Sequence, residues 1–316
     1  MKYIEFINNL IKQETVKHDN LVLFGQNISA GSCLGGLTRG LKVKENSRII
    51  NSTNSENSLC GFGFGLLMGG TNSIFFMKQL DFLLLGIDHL VNTFNIIRNL
   101  DYFKLKASFT IMPIIVDNGY QGPQSSLNNL SDFCSIARIQ GYTINNKLDA
   151  EKILSSELIK PGFRIIGISQ RLFNDELLIP EKLERINKEN TVFQYSSGQN
   201  VTIVCFNLSF PYGFELSNKL KTSGIFSSLF TVNSSTTCDW SMIINDLKIT
   251  KNLVIFEDSK SVHTNANAFL NDALLSCKLD KKIIVRREMD ENWLNPIDDV
   301  LKINYGEIMT QLSCDN

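Results

Sequence analysis

Short apolar runs, each too brief for a helix, alternate along this chain with longer segments of helical spacing. Residues 21–24, 49–50, 73–77, 108–116, 141–145 and 163–168 read as strands. Between them, residues 3–17 place Ile4, Ile7, Leu10 and Ile11 on one helical face. Helices are expected over 82–98, 129–138 and 148–158, with another opening at Ser55, and a glycine-rich loop over 31–40 runs into a helix ending near Val43. Strands alternating with helices imply an α/β fold, a mainly parallel sheet with helices on both faces. Ligands of such folds lie beyond the carboxyl ends of the strands, and the loops at 25–31, 51–56 and 117–126 fall there.

A second unit of the same kind follows. Strands are expected at 201–206, 225–232, 253–257 and 282–286, helices at 212–223, 240–248 and 261–277, and one more helix in the tail. The intervening stretch, 174–200, is charged and lacks an apolar period, so it reads as a linker plus an edge strand. A chain of 316 residues has room for two domains. The expected boundaries are 1–173, a linker over 174–190, and a smaller domain over 191–316.

A net charge of −1 without a long Lys or Arg run argues against nucleic acid and anionic membranes as partners. The most apolar region, 73–91, is interrupted by Lys78, Asp81 and Asp88, which argues against a membrane span. The opening MKYIEFINNLIKQE mixes charged and apolar residues, unlike a signal peptide. Seven scattered cysteines with no CxxC pair read as reduced thiols in a cytoplasm. With three separated histidines, no metal site is expected. GFGFG at 61–65 lacks the GxGxxG spacing and a Walker lysine, so it is not read as a nucleotide loop.

The stretch 51–92 carries the chemistry. Ser55 is a good N-cap, and Glu56 falls in the first turn, where a carboxylate suits the helix dipole. Gly61, Gly65 and Gly69 recur every four residues and should form a face that another helix can approach. By itself, Glu56 is only a first-turn acid, and Phe82 only a core aromatic.

The order of these pieces resembles the transketolase-like thiamine-diphosphate enzymes, in particular the beta subunits of 2-oxo acid dehydrogenases such as pyruvate dehydrogenase. The resemblance is carried by GQN at 25–27, GGLTRGL at 35–41, SENSLCGFGFGLLMGG at 55–70, DFLLLGIDHLVN at 81–92, GPQSS at 122–126, QRLF at 170–173 and GQNVTIVCFN at 198–207. It implies a pyrimidine-binding domain followed by a transketolase C-terminal-type domain. It gives Glu56 the role of bonding a ring nitrogen of the cofactor's aminopyrimidine, in a water-poor place. Phe82, 26 residues later, is the aromatic on which that ring stacks.

The departures from the family pattern bear on the reaction. Ser125, beside Gln124, stands where the family usually has a histidine, and a hydroxyl cannot carry a proton near neutral pH as imidazole can. Gln26 and Asn27 replace an acidic pair. Gln124 and Ser125 are therefore candidate substrate residues of an altered chemistry, a transketolase-like ketol or acyl transfer or a carboligation on a small oxo or sugar-like substrate. An orthodox dehydrogenase beta subunit and a non-catalytic scaffold are the alternatives. The sequence has no GDG, so the resemblance assigns the diphosphate and its Mg2+ to an alpha-type partner subunit, in an alpha2beta2 heterotetramer.

Overall fold

The computed structural model describes residues 1–100, 106–119, 122, 127–287 and 300–313. Six strands form the first sheet: β1 (Leu21–Gln26), β2 (Arg48–Ser52), β3 (Asn72–Met77), β4 (Ser108–Ile115), β5 (Gln140–Ile144) and β6 (Gly162–Ser169). They lie in the order β2-β1-β3-β4-β6-β5, and every neighbouring pair is parallel. A parallel sheet needs cover on both faces, and β4 is buried at every position.

Alternate residues of each strand serve opposite faces. Leu23, Ile74 and Ile166 pack with Ile7 and Ile11 of α1 (Tyr3–Thr15) and Ile153 of a later helix, Lys147–Glu157. Phe24, Phe75, Phe109 and Ile165 pack on the other side with Phe64 of α2 (Glu56–Met68), Phe94 of α3 (Phe94–Asn99) and Phe133 of α4 (Leu130–Ala137). The helix at Lys147–Glu157 is α5.

The second sheet contains β7 (Arg185–Ile186), β8 (Val192–Ser196), β9 (Val201–Phe206), β10 (Ser227–Val232), β11 (Asn252–Glu257) and β12 (Lys281–Arg286), in the order β12-β11-β9-β10-β8-β7. Its four later strands are parallel, while β8 and β7 extend it antiparallel at one edge. The charged 174–200 stretch thus contributes both antiparallel strands, of which β7 is the edge. Helices α6 (Phe210–Thr222), α7 (Ser241–Thr250), α8 (Asn265–Ser276) and α9 (Tyr305–Ser313) complete this half.

Three local expectations fail. No helix runs to Val43. Only a 3-10 turn forms at Leu34–Gly36, because Cys33, Leu34 and Gly35 take positive φ values of 50°, 52° and 66° that stop a right-handed helix. The helix expected over 82–98 is broken into a 3-10 segment (Leu80–Gly86), a π turn (His89–Thr93) and α3, with a bend of 67° between Leu80–Gly86 and His89–Asn99. Leu80, Leu83 and Gly86, spaced by three as a 3-10 helix requires, are buried together with Asp81. Gly86 sits tight on α2, where a Cβ would stand 2.4 Å from Cys60 Sγ.

The glycine face is also different. A Cβ on Gly61 would stand 3.0 Å from His89 Nε2, but Gly65 faces open space and Gly69 lies past the last helical residue. The close approach is instead at Gly63, where a Cβ would meet the Phe109 ring at 2.2 Å. No single helix among the described residues is long and apolar enough to cross a membrane.

The two sheets meet at strand carboxyl ends. Thr143 and Asn145, at the end of β5, donate to the Asn207 carbonyl just past β9, at 2.8 and 3.0 Å. Asn207 Nδ2 donates to Asn128 Oδ1 and to Asp258 Oδ1, and Asn128 Nδ2 donates to the Asp258 carbonyl. Among the described residues, no hydrogen bond joins the carboxyl ends of β1, β2 and β3 to the second sheet. Among the described residues, that half of the edge is therefore not tied to this chain's own second half in the way the β5 end is.

Candidate functional site

That half of the edge is also where the sheet's topology changes direction. From β1 the chain moves outward to β2, then crosses back over β1 to β3, and such a switch point is where open α/β sheets form their ligand crevice. Glu56 opens α2 just beyond β2, and Phe82 follows β3 in the 3-10 segment. The packing of Gly86 against Cys60 and the Glu56 carbonyl fixes that segment on the first turns of α2.

Glu56 is only 7% exposed. Its carboxylate takes part in no hydrogen bond or ion pair among the described residues. Ser55 occupies the N-cap position but does not cap the helix. Its Oγ donates instead to Ser58 Oγ at 3.0 Å. The carboxylate thus relies on the helix dipole and on whatever enters the crevice. Its charge also reaches Cys60, whose thiol is pushed up to about 12 by burial and then by Glu56. Phe82 is half-buried and makes no ring contact among the described residues, unlike Phe24, Phe75 and Phe109, which stack on one another. A carboxylate without a partner among the described residues, on a helix against which the segment carrying an unstacked ring is packed, is a donor set that fits an aromatic heterocycle with a ring nitrogen.

Gln124 and Ser125 lie outside the described residues, but the two ends of their loop are held. At one end, buried Asp117 accepts from Ser169 Oγ at 2.6 Å and from the Arg171 backbone N–H at 2.8 Å. At the other, Leu127 N–H donates to Asp81 Oδ1 at 3.0 Å, one residue from Phe82. Arg171 then ties this base to the second sheet, with Nη2 donating to Asp258 Oδ2 at 2.8 Å and Nη1 to Tyr212 Oη at 3.0 Å. Burial pushes the Asp117 carboxyl up to about 6 even though Arg171 pulls it down. For the guanidinium, burial works against the proton and the Asp258 and Asp117 carboxylates outweigh it. Asp81, Asp117, Arg171 and Asp258 are not singled out by sequence reasoning. The hints are that Arg171 falls inside the QRLF stretch and that Asp81 opens DFLLLGIDHLVN.

Glu257, the last residue of β11, is 3% exposed and accepts from Ser259 N–H at 3.0 Å. Burial, and then the neighbouring Asp258, push its carboxyl up to about 8. A folded value above the unfolded 4.5 means that this group's stabilisation is complete below pH 4.5 and is lost as pH climbs to about 8. Glu257→Gln should therefore melt at increasingly higher temperature than the natural chain across that window, a gap growing by about 1 kcal/mol per pH unit. Chemical melts at pH 5 and pH 8 check this, and equal gaps at both would count against it.

The six described cysteines are all free thiols. No group of three His, Cys, Asp or Glu side chains among the described residues could hold a metal ion.

No family model matches this sequence. The chain is 23% identical over 270 residues to the mitochondrial pyruvate dehydrogenase E1 component subunit beta of Dictyostelium discoideum, covering 80% of this chain and 72% of that one. In structure it matches a split-gene transketolase solved as an inactive beta4 tetramer, with a TM-score of 0.64 at 16% identity, covering 91% of this chain and 89% of that one. It also matches transketolase from Campylobacter jejuni, with a TM-score of 0.64 at 10% identity, covering 97% of this chain but 43% of that one. The fold is accordingly that of a transketolase-like, two-sheet α/β chain. Within that class, the sequence is pyruvate dehydrogenase beta-like.

Proposed function

We propose that this chain is the beta-like, pyrimidine-domain subunit of a two-chain thiamine-diphosphate enzyme. The observation that carries this reading is buried Glu56, whose carboxylate has no partner among the described residues at the carboxyl edge of the first sheet. Glu56 would hold a proton at a ring nitrogen of the pyrimidine, with the buried Cys60 one turn further along the helix. Phe82 would supply the face on which the ring lies. When bound, the cofactor supplies an electron sink for breaking or forming the bond next to a carbonyl.

An alpha-type partner is part of the proposal. The chain spans less than half of the Campylobacter transketolase, and its sequence has no GDG to receive the diphosphate and Mg2+. Phe62, Leu84 and Leu85 are 41%, 56% and 65% exposed beside α2, an apolar surface suited to such a subunit in an alpha2beta2 assembly. Ser125 and Gln124 favour ketol or acyl transfer or carboligation on a small oxo or sugar-like substrate. The Dictyostelium relative favours the second reading, an orthodox 2-oxo acid dehydrogenase beta subunit.

Co-expression with an alpha-type chain bearing GDG…N tests the proposal. In calorimetry with Mg2+, the pair should bind thiamine diphosphate and this chain alone should not. A pair that binds none removes the reading. Pyruvate with an artificial electron acceptor then separates the two chemistries, because brisk oxidative decarboxylation would select the dehydrogenase.

A further inference from the structure

A separate cavity of about 520 Å³ opens where α4 and β5 face the segments before and within α8. Its size suits a small metabolite. Arg138, Gln140, Ser235, Thr236, His263 and Thr264 are among the residues lining it, and no Asp or Glu is. The Arg138 guanidinium and the His263 imidazole have no partner among the described residues, although both stand in this one cleft. Ser235 is 8% exposed, and its hydroxyl makes no hydrogen bond.

The chemistry of the walls selects the ligand. A guanidinium, an imidazole and several hydroxyls with no carboxylate among them match a tetrahedral oxyanion. The backbone of α8 adds little direct bonding, because Asn267 N–H already donates to Thr264 Oγ1 and Ala266 N–H to Glu257. Recognition therefore falls to side chains. We propose that this cleft binds a small phosphate monoester, its phosphate held by Arg138 and His263 and its remaining polar groups facing Thr236 and Thr264. The site is distinct from the crevice at Glu56, and the inference does not depend on the function assigned to that crevice.

Binding there would act on the whole chain. The floor of the cleft is stitched across the two halves by Gln140 Nε2 donating to Ser234 Oγ at 2.6 Å and by Ser235 N–H donating to the Gly141 carbonyl at 2.9 Å. Ser131 Oγ and Ser261 Oγ form a third link at 2.7 Å. A ligand contacting both walls would bind the joined arrangement and stabilise it by mass action.

The test uses the full chain, with inorganic phosphate and glycerol 3-phosphate as probes in calorimetry and thermal melts. Saturable binding is expected for both, tighter for the monoester, with a rise in melting temperature. Arg138→Asn should weaken it by about tenfold or more. Asn suits this position, where φ is 52°. His263→Gln, in an exposed segment, should weaken it as well and decides the matter should Arg138→Asn fail to fold. Absence of saturable binding, or binding unchanged in the folded variants, would overturn the proposal. Inorganic phosphate binding as tightly as the monoester would overturn the metabolite, leaving a bare-anion site.

Discussion

Glu56→Gln is expected to lower turnover of the assembled two-chain enzyme by about 10²–10⁴-fold, the range for a lost proton-transfer group. The substitution keeps the size of the side chain and its capacity to accept a hydrogen bond. What it removes is the ability to take and return a proton. Because the natural carboxylate bonds to nothing else among the described residues, the fold loses no contact. Losing the carboxylate's interaction with the helix dipole costs no more than about 1 kcal/mol. Melting temperature should therefore change little, while turnover falls and cofactor binding changes little. Turnover, calorimetry and a thermal melt on the same preparation separate these outcomes. Unchanged turnover would return Glu56 to the role of an ordinary first-turn acid and favour the scaffold reading.

Arg171→Met should destabilise the chain by about 3–5 kcal/mol at neutral pH, the cost of removing one partner from a buried ionic cluster. Asp117 and Asp258 have side chains with no exposed surface and would both remain. Methionine fills much of the volume beside Tyr212 but offers no countercharge. The sign of the pH dependence follows from Asp117, whose carboxyl already stands near 6 in the fold against 3.8 in the free side chain. Without Arg171 it would stand higher still. A raised folded value favours the protonated form, so the variant's deficit should shrink as pH falls towards 4. Denaturant melts at pH 7 and pH 4.5 check this. A deficit independent of pH would mean that packing, not charge, is what Arg171 provides.

Much of the architecture is legible in the sequence. Strands of a parallel sheet are buried on both faces and read as near-continuous apolar runs, as β4 and β6 do. The break after Phe82 is not legible, because Leu80, Leu83, Ile87, Leu90 and Phe94 suit a helix as well as they suit the 3-10 and π segments. What decides is the tight seat of Gly86 on Cys60, a contact between elements. The glycines of α2 mislead for the same reason, since periodicity marks Gly61, Gly65 and Gly69 while the sheet selects Gly63.

For the site, the place of Glu56 in a first helical turn is readable from Ser55 and the polar loop before it. Its burial and lack of partners are not. The cluster at the base of the 118–126 loop is further out of reach, because Arg171 and Asp258 are 87 residues apart and belong to different sheets. No local spacing encodes such a pair.

The carboxyl edge at β1, β2 and β3 has a consequence for how activity would respond to concentration. If a second chain completes the crevice, cofactor and partner bind in a linked equilibrium, and each raises the apparent affinity for the other by the same factor. Dilution would then inactivate the enzyme even at saturating substrate, and added cofactor would recover part of the loss by drawing the chains together. Surplus of either polypeptide would contribute nothing. A cell using this protein would have to match the supply of two chains, not one.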